Sequence, residues 1–461
     1  MDQGTPPDHE PARPNVLIVT CHDLGRHLGC YGVATVQTPQ MDALAADGVR
    51  FQRAFCTAPQ CSSSRASLFT GRYPHSNGVM GLTHSGFGWD LHPEERHLGQ
   101  VLRAAGFTTA LVGIHHESRS VDPAEIAARC GLDVLVPPGP GDRMTDRALA
   151  LLAGYAEGRR PFFLHVGYHE PHRAPHPDEI GFMGFLGEGV VPDLERGVTV
   201  PPYLRDEPSA RVELAELQGA IRSVDSTIGR LLAGLGALGL ERETLLVVTT
   251  DHGLAVPRAK CSLYDPGIEA ALIVRFPARG WVGGRTPEAL VSNIDLFPTV
   301  LNVVGLPIAP AVQGRDLRRV LDGTANRHRD HVHAEMTEHD YYDPQRCVRT
   351  ERHKLIVNFA AAPAFMDPSQ SWCPRCRPVF PDDPATAYHP PVELYDLTTD
   401  PLERTNLADD PDQTPVRDDL MALLRDWMVT TGDPLLEGAV TPPAHRRAVG
   451  LLRTAPTKQG G

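Results

Sequence analysis

Up to about Gly323 the chain alternates short, almost wholly apolar runs with stretches whose apolar residues recur at helical spacing. Residues 15–20, 108–113, 161–168, 244–250 and 271–276 read as buried strands. Between them, residues 100–105, 146–156 and 212–238 read as amphipathic helices. Strands alternating with helices predict an α/β layer fold, a large and mainly parallel sheet flanked by helices. Beyond Gly323 the pattern changes. Residues 353–358 and 393–397 read as strands of a smaller antiparallel unit, with a proline-rich loop, 361–391, between them. Residues 410–431 read as one terminal helix, and the tail from Pro442 as a loose wrap. The expected division is a larger catalytic unit, 12–325, and a smaller α+β unit, 326–445. No internal repeat breaks this picture.

Composition narrows the class. Of 461 residues, 41% are hydrophobic and 22% charged, so a sizeable core forms. No apolar run approaches the roughly 20 residues of a membrane helix. The first residues are polar and proline-rich, without the apolar segment of a secretory signal. With Lys+Arg 44 against Asp+Glu 57 the net charge is −13, which disfavours nucleic-acid binding but not a small anion in a local basic pocket. Nine cysteines do not complete a disulfide framework, and reduced thiols in a cytoplasmic protein are the expectation. Cys373-Pro-Arg-Cys376 is a single CxxC pair, a weak signal for zinc or redox chemistry. Association with further copies of the chain is left open.

The chemistry sits where the strands end. The first runs into His22-Asp23, the second into His115-His116, the third into His169-Glu-Pro-His-Arg173 and the fourth into Asp251-His252. In parallel sheets ligands bind beyond the carboxyl ends of strands, so four strands deliver imidazoles and carboxylates to one edge. Asp23, Asp251 and His252 form a donor set for one divalent cation. The alternative is that the two aspartates cap the helices that follow. Cys61, just before a helix starting near Ser64, is a candidate nucleophile beside Arg65, since a helix amino terminus favours an anion. The alternative is a serine-rich cap with a passive thiol.

Cys61-Ser-Ser-Ser-Arg65, followed by Ala-Ser-Leu-Phe-Thr-Gly71, resembles the signature of the sulfatase family. So do, in order, Pro14-Asn-Val-Leu-Ile-Val-Thr, Thr38-Pro-Gln-Met-Asp-Ala-Leu-Ala, Phe51-Gln-Arg-Ala-Phe, Asp251-His-Gly and Leu394-Tyr-Asp-Leu. The stretches from Phe162 to Arg173 and from Asp251 to Gly267 look closest to the heparan N-sulfatase (sulfamidase) branch. The resemblance covers nearly all of the chain and implies an alkaline phosphatase-like fold. It implies that a separate formylglycine-generating enzyme oxidises Cys61 to an aldehyde, which hydrates to a gem-diol. One hydroxyl attacks sulfur, and the other then expels sulfate. By motif position the resemblance makes Asp23, Cys61, Asp251 and His252 the ligands of one divalent metal, Ca²⁺ or Mn²⁺. Arg65 would hold the gem-diol, His116 deprotonate it, His169 protonate the leaving group and Lys260 bind the sulfate. The substrate would be a sulfated small molecule or sugar.

Four positions depart from that pattern. Ser63 stands where the modification motif has proline. Ile114 stands where a lysine of the sulfate cradle is expected. His22 replaces the first of two successive aspartates and reads as a neighbour of the ligands rather than a ligand. Asp251-His252 replaces Asp-Asn. The last two resemble the phosphonate monoester hydrolase branch, which makes a phosphonate or phosphodiester hydrolase the second reading. A non-catalytic binder of anionic glycans is the third. His115, His172, Arg173 and His339 are weaker candidates for lining the pocket.

Overall fold

The computed structural model describes residues 13–84, 86–158, 160–176, 178, 182–363, 375–380 and 387–454. The central sheet has seven strands: β1 (Asn15–Cys21), β2 (Val49–Arg50), β3 (Thr108–Gly113), β4 (Val134–Val136), β5 (Phe162–Tyr168), β6 (Thr244–Thr250) and β7 (Leu272–Arg275). Their spatial order is β2-β7-β6-β1-β5-β3-β4. β1 lies parallel between β5 and β6, and β3 parallel to β5 and β4. β7 runs antiparallel to β6 and to β2. The five predicted strands are all present, because strands covered on both faces must be apolar throughout. Helices α1 (Pro39–Asp47), α2 (Cys61–Thr70), α3 (Leu98–Ala104), α4 (Pro123–Cys130), α5 (Gly141–Glu157) and α6 (Pro208–Ala237) cover the sheet. One apolar cluster joins Leu17, Val19, Leu164 and Val166 to Leu217, Ile221 and Ile228 of α6. The other joins Val16, Ile18, Phe163 and Val247 to Leu68 and Phe69 of α2.

A second sheet is wholly antiparallel, in the order β8 (His331–Glu338), β9 (Tyr342–Thr350), β10 (His353–Asn358) and β11 (Val392–Asp396). The sequence pattern shows only β10 and the strand near Leu394. β8 and β9 are additions from the structure. Helix α7 (Thr414–Thr431) packs Leu420, Leu424 and Met428 against this sheet's Val348, Leu355 and Leu394. The tail is not a loose wrap: Pro443–Thr454 forms α8, with only Pro443 buried. Of the CxxC pair, Cys373 lies outside the described residues, whereas Cys376 is buried and its amide donates to Glu213 Oε2 at 2.8 Å.

Candidate active site

β1, β5 and β6 lie side by side and parallel, so their carboxyl ends open on the same edge. Two of the loops at this edge, after β1 and after β3, turn tightly. Asp23 adopts φ +57° and His116 φ +66°, left-handed conformations that cost a side-chain-bearing residue of order 1–3 kcal/mol and gather at functional sites. The strain at Asp23 is offset by a bond from its amide to Asp251 Oδ1 at 3.0 Å. The same oxygen accepts the His252 amide at 3.0 Å. Asp251 Oδ2 accepts Arg65 Nε at 3.0 Å, and Arg65 Nη1 donates to Thr20 Oγ1 and the Ile114 carbonyl at 3.1 and 3.2 Å. Arg65 Nη2 is left without a hydrogen-bond partner. Asp251 is therefore a fixed carboxylate at the floor, not a helix cap.

Asp23 is the most heavily contacted group. Both its oxygens accept from Lys260 Nζ, at 2.9 and 2.8 Å, and Oδ1 also takes His22 Nδ1–H at 2.8 Å. Burial disfavours its charge, but Lys260 first, then His172, His22 and His252, hold its pKa well below the usual carboxylate value. His252 donates Nδ1–H to the Gly253 carbonyl at 3.0 Å, which leaves the Nε2 lone pair facing Asp23 Oδ1 at 3.0 Å with no aligned hydrogen bond between them. Two lone-pair donors at that separation call for a positive charge between them. With protein groups alone the imidazole supplies it. Burial works against its charge, yet Asp251 and Asp23 push its pKa up to about 9. A divalent cation fits the same point. One donor atom each from His22, Asp23, Asp251 and His252 lies within 4.8 Å of the others, all four residues buried.

Cys61 closes the site from above. The helix begins at Cys61 itself, not near Ser64, and every residue of α2 is buried. Gln60 precedes it in an extended conformation without capping the helix by its side chain, so the first-turn amides stay available to an anion. The Gln60 amide instead donates to Ser63 Oγ at 2.9 Å. Cys61 is 3% exposed. Its sulfur and one ring nitrogen each of His22 and His116 lie within 4.8 Å of one another. Burial raises the pKa of this thiol, but the imidazole of His116 first, then those of His22 and His252, bring it well below the ordinary value. The passive-thiol alternative does not describe this position.

The remaining candidates divide. His169 stands beside His22, with ring centroids 6.1 Å apart, and burial, then His22, lowers its pKa to about 4. His172 packs edge-on to His22 at 4.4 Å and places Nε2 3.6 Å from Asp23 Oδ2. Arg173 serves the scaffold: buried, it pairs with Glu213 and donates to the Ala255 and Met183 carbonyls. His339 pairs with its neighbour Asp340 in the β8–β9 turn. Sequence reasoning underrated His22, which touches His116, His169, His172 and His252 at once. It missed Glu117, buried one residue after His116. The run of two histidines before it was the available signal. His116 and His169 both border a cavity of about 510 Å³ that runs toward α4 and β4.

A family model described as Sulfatase matches residues 14–306, and one described as N-sulphoglucosamine sulphohydrolase, C-terminal, matches 253–367. The human N-sulphoglucosamine sulphohydrolase is 29% identical over 92% of this chain and 91% of its own length. Among solved structures, a 2-O GAG sulfatase superposes with a TM-score of 0.70 at 22% identity, over 94% of this chain and 97% of its own. A phosphonate monoester hydrolase from Silicibacter pomeroyi superposes with a TM-score of 0.68 at 22% identity, over 91% and 96%. With the family model covering most of the central-sheet layers and the strand ends converging as they do, the chain belongs to the sulfatase family and is a sulfatase, a hydrolase of sulfate esters or sulfamates.

Proposed function

We propose that this sulfatase works through a formylglycine made from Cys61 by a formylglycine-generating enzyme, together with one divalent cation held by Asp23, residue 61, Asp251 and His252. The convergence of Cys61 with the Asp23–Asp251–His252 cluster at one buried point carries the reading. His22 stands beside that donor set. The imidazole of His252 among these ligands favours Mn²⁺ over Ca²⁺, which takes oxygen ligands. When bound, the cation supplies a Lewis acid against the sulfate. The formylglycine supplies a hydrated aldehyde, one hydroxyl to attack sulfur and a second to expel sulfate afterwards. Arg65 keeps Asp251 oriented, and its Nη2, which has no hydrogen-bond partner among the described residues, is the donor offered to the gem-diol of residue 61. His116 takes a proton from residue 61. His169 gives one to the leaving oxygen or nitrogen, and a bound sulfate anion raises its pKa from the value that burial imposes. Lys260 offers its charge to the sulfate while anchored on Asp23. The human relative's name points to a sulfamate on glucosamine as one substrate to try.

Peptide mass spectrometry across residue 61, on protein made with and without the modifying enzyme, tests this reading alongside turnover of sulfate esters. The expected result is an aldehyde in place of the thiol, activity in proportion to it, and loss of at least a hundredfold in Cys61→Ala. Full activity from protein whose Cys61 remains a thiol would sink it. The isoleucine at 114 and the Asp-His pair favour the phosphonate reading, and phosphonate monoesters in the same assay decide between the two.

A further inference from the structure

The cavity between His116 and His169 has a composition that bears on the leaving group. Its aliphatic lining includes Ile114, Ile126 of α4, Leu135 of β4, Pro123 and Pro137. Among the described residues that line it there is no Asp, Glu, Asn or Gln, and Arg119 is the one permanent cation. Vicinal hydroxyls of a sugar ring are held by side chains that accept and donate in pairs, carboxylates and carboxamides above all. The other lining includes Thr83, Ser118, Ser120, Arg119 and four histidines, which can hydrogen-bond, but a ring seated against the aliphatic residues would leave the hydroxyls on that face stripped of water, a cost those partners do not offset. An apolar group gains instead. At about 510 Å³ the space is in the range of ligand sites. The rim residue Val121 is 91% exposed and would be covered by an occupant. Ile114 adds to the argument. It stands where the sulfate cradle was expected to hold a lysine, and it puts an aliphatic side chain at the cavity's inner end.

We propose that the cavity walled by Ile114, Ile126 and Leu135 receives the leaving group, and that the substrate is a sulfate ester or sulfamate of an apolar alcohol, phenol or amine, not of a polyhydroxylated sugar. The inference rests on the sulfatase reading above. A sulfate seated at residue 61 presents its bridging atom to His169, and His169 and His116 are the two site residues that border the cavity. The carbon skeleton attached to that atom enters between them.

Two matched pairs test it: N-cyclohexylsulfamate against glucosamine N-sulfate, and cyclohexylmethyl sulfate against glucose 6-sulfate. Each pair keeps the ring size and the bond cleaved and exchanges a polyhydroxylated pyranose for a carbocycle. The expected result is kcat/KM at least roughly tenfold higher for the carbocycle in whichever pair is turned over. Val121→Glu, at an exposed position that leaves folding intact, and Leu135→Asn should each reduce that preference, chiefly by raising KM for the carbocycle. Higher kcat/KM for the sugars overturns the apolar assignment and leaves the sulfatase mechanism standing. Turnover of neither pair by aldehyde-containing protein that cleaves phosphonates overturns both.

Discussion

Glu117 sets burial against charge beside the catalytic loop. Its carboxylate is buried, neither oxygen accepts a hydrogen bond from another residue, and the nearest imidazole nitrogen, His115 Nδ1, is 3.7 Å away. Burial pushes its pKa up to about 8, with Arg65 only partly opposing. The folded protein thus keeps a proton that the unfolded chain releases in the ordinary glutamate range. Above that range the unfolded state binds fewer protons, so stability falls as pH rises, until Glu117 ionises in the folded state near 8. Glu117→Gln, which keeps the shape and cannot ionise, should be close to wild type at pH 5 and more stable than wild type at pH 8. Urea midpoints at the two pH values check this, and a difference independent of pH would mean that the carboxylate is ionised and satisfied. The two histidines before Glu117 mark its loop, but nothing in the sequence announces that its carboxylate is buried. Asp23, His116, His169 and Asp251 could be read because each ends an apolar run. Glu117 and His22 draw their character from residues brought in by other strands, His22 from four histidines at once.

Strand β3 shows how an element aims a catalytic group. It ends at Gly113, whose φ is +100°, and a Cβ there would lie 2.2 Å from the Gly167 carbonyl oxygen and 2.7 Å from Met144 Sδ. No side chain fits between β3 and β5 at that point, so the chain turns sharply into Ile114 and the loop that carries His116. Gly113→Ala should cost about 2–3 kcal/mol from backbone strain, more if the strands separate. Because His116 moves with the loop, kcat should fall further than folding stability explains. Urea titration beside kinetics on the folded fraction separates the two, and unchanged kcat would show that the loop is positioned from elsewhere. The same strands explain what was legible. Runs covered on both faces are apolar throughout, so β1, β3, β5, β6 and β7 stand out, but a run does not record direction, and β7 is antiparallel. β8 and β9 were hidden because their buried residues include Glu335, Arg346 and Arg349, paired with one another or with Asp433 and Asp265, and Gln345, which donates to Asp343. Polarity inside a strand hides the strand from a hydrophobic pattern. α2 shows no amphipathic stripe because all of it is buried.

The expected division near residue 325 treats the two sheets as separate units, but the contacts between them are of the kind found inside a core. Phe55, Cys261, Leu263 and Ile268 of the larger part share one apolar cluster with Val332, Met336, Ile356 and Tyr395 of the second sheet. At its edge Lys354 of β10 is fully buried, with Nζ 2.6 Å from both Asp265 Oδ1 and Glu403 Oε1 and donating to the Leu263 carbonyl at 3.0 Å. Arg349 of β9 holds the other Asp265 oxygen at 2.9 Å. Burial opposes the charge of Asp265, but Lys354 first and then Arg349 hold its pKa far below the carboxylate range. Asp265 follows the loop that carries Lys260, so the second sheet braces a wall of the active site. Replacing the lysine by an apolar chain of similar length removes one cation from two buried carboxylates, a loss of about 3–5 kcal/mol when a buried pair is broken from one side. Lys354→Met should lower the urea midpoint of the whole molecule, not of the second sheet alone. Trp281 lies in the larger part's core and Trp427 in α7. With Trp89 and Trp372 also replaced by phenylalanine, fluorescence of the Trp281→Phe and Trp427→Phe backgrounds follows the two parts separately. Coincident midpoints that shift together with Lys354→Met are the expected result, since the two sheets share an apolar cluster and the buried ion pairs of Lys354 at its edge. Two midpoints, with only the Trp427 signal shifting, would establish the second sheet as an independent domain.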